Sequence, residues 1–305
     1  MPVTLPLLTR RGFLASAACM LPPALRPGLA KTAAETDPHR VALLSDPHIG
    51  EKPEATDRDC NMHDRLKQVA AEVARLDVRP ACAVVNGDLA HKTGTAAEYA
   101  LFGKLIEPVR EAGIPLHLGL GNHDNFARFA DGLAKLRPKD KPVEGKQVVV
   151  AELDRVNLFV LDSYDPKNTV GGKLGAEQLK WLAAALDAHK AKPAVVFVHH
   201  NLQFDADKSG KYNGLADSTD FWPLVKDRPL VKAFVFGHTH TWRLAEKDGI
   251  HLINLPAIGY PFAKAEVTGW VDAHFIENGV KLELRAIDPK HAKHGDKAEL
   301  TWRKG

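Results

Sequence analysis

A chain of 305 residues can bury a large core, as one big domain or two small ones. With 45% hydrophobic and 26% charged residues it is too apolar for a disordered chain and has the balance of a soluble globular enzyme. The net charge of +3 belongs to residues 1–30, where Arg10, Arg11 and Arg26 meet no acid; the other 38 basic and 38 acidic side chains cancel, which disfavours polymeric nucleic acid as the main partner.

The N-terminal stretch "LTRRGFLASAACMLPPAL" sets two arginines before a short apolar run, and Gly28–Ala30 supplies small residues for a cleavage site. The run is interrupted by Pro22 and Pro23 and is too short to span a bilayer. "TRRGFLA" resembles the twin-arginine (Tat) export signal, departing from it at Ala15. Residues 1–30 are therefore expected to be a signal peptide read by the Tat machinery, leaving a periplasmic or secreted protein. A lipoprotein signal at "SAAC" is the weaker reading, because Ser16 stands where an aliphatic residue is wanted. Beyond the signal, Cys60 and Cys82 have no CxxC spacing, and whether they pair is left open.

From residue 31 short β-branched runs alternate with helical patterns, the mark of layered α/β architecture. Strands are expected at 40–46, 81–88, 114–124, 192–200 and 231–240. Helices are expected at 61–77, where Leu66, Val69, Ala70, Val73 and Leu76 recur at three-to-four spacing, and at 95–113, 125–136 and 175–189. "KQVVVAEL" and "VNLFVLDS" predict a hairpin turning at Asp154–Arg155. Residues 201–220 read as a polar loop. The last third reads as a meander closing a domain that runs to residue 288, and 289–305 as a loose polar tail. No membrane span follows the signal.

Five of these apolar runs end in groups able to bind metal. "ALLSDPH" ends in Asp46 and His48, "VVNGD" in Asp88, "LGLGNHD" in Asn122, His123 and Asp124, "VVFVHH" in His199 and His200, and "FVFGHTH" in His238 and His240. Ligands of open α/β sheets bind beyond the carboxyl ends of the strands, so these side chains would converge if the strands are neighbours. Gly87, Gly121 and Gly237 stand at the same exits, where the backbone must turn sharply or approach another group. An acid after a strand is ordinarily a turn former or helix cap, and a single histidine ordinarily a surface group. Yet six of the fifteen histidines fall at these exits, and the coincidence argues for one cluster. Oxygen and imidazole donors without sulfur suit iron, manganese or zinc and exclude a cysteine-rich structural zinc site. The donors exceed one ion's needs, so two metals sharing a carboxylate is the economical reading.

The ordered set "DPH", "NGD", "GNHD", "VHH" and "GHTH" over residues 46–240 resembles the calcineurin-like metallophosphoesterase superfamily. The resemblance is nearest to bacterial class III phosphodiesterases, which act on cyclic nucleotides or glycerophosphodiesters. It implies a four-layer α-β-β-α sandwich with a dinuclear site at the strand ends. It further implies that Asp46, His48 and His240 hold the first metal, Asp88 bridges, and Asn122, His199 and His238 hold the second. A hydroxide between the metals would attack phosphorus. His123 would act as general acid and Asp124 would orient its ring. Relatives often carry proline after the histidine pair, where Asn201 and Leu202 stand here; His199 is taken as the ligand and His200 as a group behind it or beside the substrate. His91 is read as loop. Phe204, Tyr212, Phe221 and Trp222 are weighed as groups that stack a substrate or pack the loop. The resulting expectation is a metal-dependent phosphoric ester hydrolase acting on a small diester. A phosphomonoesterase, or a metal-binding module without catalysis, is the alternative.

Overall fold

Strand alternation decides the layering. The computed structural model describes residues 35–304, so the expected signal at 1–30 lies outside the described residues. In β1 (Thr36–Leu44), Val41 and Leu43 face one core while Ala42 and Leu44 face another. The same two-sidedness holds in β4 (Arg79–Asn86), with Cys82 and Val84 on one face and Ala83 and Val85 on the other. A strand apolar on both faces must be covered on both, and the chain does this with a second sheet on one side and helices on the other.

A two-stranded ladder of β2 (Thr56–Asp57) and β3 (Cys60–Asn61) precedes α1 (Met62–Ala74). After β4 come α2 (Ala96–Glu111), β5 (Leu116–Gly119) and α3 (Phe126–Gly132). Helix α2 begins with a capping box: Thr95 Oγ1 accepts from Glu98 N at 3.2 Å and Glu98 accepts from Thr95 N at 2.8 Å. The predicted hairpin forms from β6 (Val149–Glu152) and β7 (Asn157–Val160), followed by α4 (Ala176–Ala188), β8 (Ala194–Phe197), α5 (Ser218–Lys226) and β9 (Val231–Phe236). The chain closes with β10 (Arg243–Lys247), β11 (Ile250–Asn254), β12 (Gly269–Ile276), β13 (Gly279–Ala286) and β14 (Lys297–Thr301).

One six-stranded sheet runs β14-β13-β12-β1-β4-β5 and the other β10-β11-β9-β8-β7-β6. Val41, Leu43, Cys82 and Val84 of the first pack against Val195, Phe197, Ala233 and Val235 of the second. Outside them, α1, α2 and α3 cover the first sheet, and α4 and α5 the second, completing the expected four layers. Strands β1, β4 and β5 are parallel, as are β7, β8, β9 and β11, so each sheet gathers several carboxyl ends at one rim.

Three expectations are corrected. The loop expected at 201–220 is observed up to Asp217 but ends at α5, whose Phe221 and Trp222 are buried against the second sheet and cannot meet a substrate. The meander is divided: β10 and β11 complete the second sheet, β12 and β13 the first. The tail is not loose. Strand β14 pairs antiparallel with β13, and the Arg303 guanidinium donates to the carbonyls of Val231 (3.0 Å), Lys226 (3.1 Å), Asp248 (3.1 Å) and Arg228 (2.6 Å). Cys60 and Cys82 are free and lie in different cores. Among the described residues no helix is long and apolar enough to cross a membrane.

Truncating the chain before Lys297 should therefore cost at least about 4 kcal/mol, since it removes four hydrogen bonds to a charged guanidinium, each contributing roughly 1.5 kcal/mol or somewhat less where exposed. The midpoint of urea unfolding measures this, and an unchanged midpoint would return the segment to a loose tail.

Candidate metal centre

Strand exits build the centre by leaving the β conformation within two residues. Among the described residues eight non-glycine positions have positive φ, and five are expected ligands: Asp46 (52°), His48 (49°), Asp88 (49°), His238 (65°) and His240 (52°). Left-handed backbone costs an L-residue about 1–2 kcal/mol, so five instances in one place require compensation. Cross-links between the turns provide it. Asp46 N donates to Gly87 O (3.2 Å), His48 N to Asp88 O (3.0 Å), and Gly237 N to His199 O (3.0 Å). The carboxylates are also held by backbone: His238 N reaches Asp46 Oδ1 (3.1 Å) and His123 N reaches Asp88 Oδ1 (2.9 Å). Glycine is required where these turns crowd. A Cβ at Gly121 would strike Asp88 and stand 2.6 Å from His199 Cδ2, and one at Gly237 would strike Asp46.

The donors converge as the motif order implied. His48 Nε2 lies 3.0 Å from His240 Nε2, and His240 Nε2 lies 3.3 Å from Asp46 Oδ1. Asp88 Oδ2 stands between two sets of donors, 3.6 Å from His48 Nε2 and 3.2 Å from His199 Nε2. Donors bound at about 2.0–2.2 Å to a shared cation stand roughly 3–3.5 Å from each other. Repulsive contacts between like donors at these distances make sense around cations. His199 and His238 each offer a nitrogen to a further group within 4.8 Å.

Backbone carbonyls hold the other ring nitrogens. His199 Nδ1 meets Asn86 O at 2.8 Å, His240 Nδ1 meets Tyr260 O at 2.6 Å, and His238 Nε2 meets Asn213 O at 2.8 Å. Each carbonyl keeps a proton on the nitrogen facing it and leaves the opposite lone pair free for a metal. The unpartnered buried atoms provide the test of fit: Asn122 Oδ1 has no partner in the protein, and His199 Nε2 faces only the Asp88 and Asp46 carboxylates, without a well-formed hydrogen bond to either. Asn122 Nδ2 donates to Thr169 O at 3.1 Å, which fixes the amide with its oxygen unspent. Orphaned acceptors among buried carboxylates are what cation ligands should be.

Electrostatics agree. Burial drives His48 down to about 3 and, aided by the His199 charge, His238 to about 4, so both are neutral donors. Burial works against charge on Asp46 as well, but His199 and His240 outweigh it and leave the carboxyl at about 2. At His199 the burial penalty is overcome by Asp88 and Asp46, which raise it to about 10. A proton on His199 thus holds the place that a cation would take.

Not every expected role survives. Asp124 does not orient the His123 ring. Its carboxylate accepts from Gly121 N (2.9 Å), Ala90 N (3.2 Å), Leu89 N (3.3 Å) and the Tyr99 hydroxyl (3.2 Å). It pins the turn after β4 to the turn after β5, and burial followed by the Asp88 charge raises it to about 7. His123 is half-buried, edge-on to His48 at 4.9 Å, with Nδ1 lacking any partner. His200 is no substrate-side group: Ser163 Oγ (2.7 Å) and Val170 O (3.0 Å) occupy its two nitrogens behind His199. His91 lies in a loop, as expected, where it is buried and pairs with Asp57 at 2.9 Å.

Sequence reading missed the wall beside the first-metal group. Phe262, 51% exposed, stacks on His240 with centroids 4.0 Å apart and planes 5° from parallel. The exposed Arg58 guanidinium lies 5.1 Å from the Phe262 centroid and 5.8 Å from that of Tyr260. Neither residue sits in a motif, and only the fold brings positions 58 and 262 together.

Residues 39–242 match the family described as calcineurin-like phosphoesterase, and the chain belongs to that family. A cAMP/cGMP dual specificity phosphodiesterase of Mycobacterium tuberculosis is 31% identical over 138 residues, which are 45% of this chain and 42% of that protein. The chain therefore spans less than half the length of that relative. The 3',5'-cyclic adenosine monophosphate phosphodiesterase CpdA of Vibrio vulnificus is 26% identical over 222 residues, covering 72% of this chain and 76% of that one. Among solved structures, a dimetal phosphatase from Danio rerio shares the fold with a TM-score of 0.65 at 16% identity, covering 88% of this chain and all (100%) of that one. Family and donor groups together imply two divalent metal ions.

Metal uptake should release protons. His199 stands near 10, above the ordinary imidazole value, so at pH 7.5 it is protonated and a cation must displace that proton. Affinity should rise with pH until about 10 and fall as pH drops. Calorimetry at pH 7.5 in two buffers of different ionisation enthalpy should show net proton release; none would contradict the assignment.

Proposed function

We propose that the chain is a metal-dependent phosphodiesterase acting on small diesters. One observation carries the reading: Asp88 lies within 3.6 Å of His48 and 3.2 Å of His199, at the junction of two donor sets, with His123 beside it. The names of the two curated relatives support the diester class. Iron, manganese and zinc all suit these oxygen and imidazole donors.

A bound metal pair would supply Lewis acidity toward phosphoryl oxygens and toward water. Asp46, His48 and His240 would hold one ion, Asn122, His199 and His238 the other, with Asp88 shared. The chain's own part is orientation and proton movement. Asn86, Asn213 and Tyr260 carbonyls keep the ligand rings from turning. His123, fixed through its backbone N–H on Asp88, has a ring nitrogen without a protein partner and can present a proton to the departing oxygen. Phe262, stacked on His240, and Arg58 beside its ring would be the groups to receive the organic arm of the ester.

Replacing His123 by Ala should lower kcat about 10²–10⁴-fold on diesters with alkoxide leaving groups. The loss should be smaller for p-nitrophenyl esters, whose leaving group needs little protonation. Metal content measured by mass spectrometry should stay unchanged. Equal losses on both substrates would remove the acid role, and hydrolysis of monoesters alone would move the assignment to a phosphomonoesterase.

Export through the twin-arginine pathway to the periplasm or beyond is proposed from Arg10, Arg11 and the small residues at Gly28–Ala30. Arg10→Lys with Arg11→Lys is expected to retain the precursor in the cytoplasm in a fractionation experiment, whereas undiminished export would contradict it.

A further inference from the structure

Two of the three groups expected to hold the second metal share a support that the first-metal groups lack; the third, His199, is set by Asn86 O of β4. Asn122 leaves the first sheet after β5, and His238 leaves the second after β9, yet both depend on surface loops. Asn122 Nδ2 donates to Thr169 O at 3.1 Å, and His238 Nε2 meets Asn213 O at 2.8 Å. His200, packed against the His199 and His238 rings, meets Val170 O at 3.0 Å. Three carbonyls from the 163–173 and 201–216 loops therefore set Asn122, His238 and the His200 ring packed behind His199 and His238. On the first-metal side, His240 is set by Tyr260 O instead, and Gly259 beside it donates to Asp46 O at 2.9 Å.

Backbone bonds at Gly172 join the two loops, its N–H donating to Gly214 O (3.0 Å) and its carbonyl accepting from Ala216 N (2.8 Å), and one side chain adds a second tie nearer the donors. Asn168 Oδ1 accepts from Val170 N (3.0 Å) and Gly171 N (3.0 Å), which fixes the turn that presents the Thr169 and Val170 carbonyls. Its Nδ2 donates to Tyr212 O at 3.1 Å, next to the Asn213 carbonyl that meets His238. The loops touch so closely that a Cβ on Gly171 would strike Tyr212 O. Asn168 itself reaches no metal donor.

We propose that Asn168 is a positioning residue for the second metal site, acting through the Thr169, Val170 and Asn213 carbonyls on Asn122, His200 and His238. The proposal rests on the two-metal reading. Removing the amide leaves the Gly172 bridge in place but frees the 168–171 turn and the Tyr212–Asn213 segment, so Asn122 and His238 lose their fixed orientation while Asp46, His48 and His240 keep theirs. Loss of such outer partners lowers metal affinity about 10–100-fold.

The test titrates the metal-free full chain with Mn²⁺, read by calorimetry and by electron paramagnetic resonance. Wild type should take two ions per chain and show the exchange-coupled signal of a pair. Asn168→Ala should take one ion with unchanged affinity and a second about 10–100-fold more weakly, with an isolated-ion spectrum at one equivalent above the first. Asn168→Asp keeps the acceptor but loses the donor to Tyr212, and should fall between the two. Two ions bound by Asn168→Ala as in wild type would overturn the proposal, as would parallel weakening of both sites, which marks general unfolding. A wild-type chain that binds no pair would instead overturn the two-metal reading itself.

Discussion

Two carboxylates that no lysine or arginine reaches govern this molecule. Asp46 and Asp88 are 0% and 2% exposed, and both lie within 4.8 Å of the same His199 nitrogen. Burying paired anions costs several kcal/mol per charge unless cations stand beside them. Among the described residues no ammonium or guanidinium pairs with either, so the only positive charges available are imidazolium protons or metal ions. The left-handed turns, the glycines at 121 and 237 and the carbonyls behind the rings are all arranged around that demand.

The sandwich makes the arrangement rigid. Alternating side chains pack both faces of β1, β4, β8 and β9, which leaves the strand ends little freedom to move. Turns cross-linked from Asp46 to Gly87 and from Gly237 to His199 then carry that rigidity from each sheet into the pocket. Strain at five ligand positions is stable because the core on either side over-determines it. Asp124, whose expected role was in proton chemistry, contributes to the same stiffness by joining the turns that carry Asp88 and Asn122.

The layers and the convergence of the candidate donors were legible for one reason. Each candidate donor follows an apolar run whose period shows a strand, so local letters encode both the element and its chemical end. Elements without that contrast were missed. Helix α5 starts inside a polar stretch and contains Pro223, and β14 is an edge strand with one face exposed, so neither has an apolar run to announce it. Backbone carbonyls that hold ligand rings have no letter at all, which is why Thr169, Asn213 and Tyr260 carry no signal. Asp124 misled because a carboxylate next to a histidine suggests a pair, whereas its neighbours in space are three amides and a tyrosine.

Anomalous diffraction from crystals of the manganese-loaded protein tests the central claim most directly. The account predicts two peaks about 3.5–4 Å apart, with an oxygen of Asp88 between them. Asp46, His48 and His240 should surround one peak, and Asn122, His199 and His238 the other. A single peak, or a pair bound away from Asp88, would contradict it.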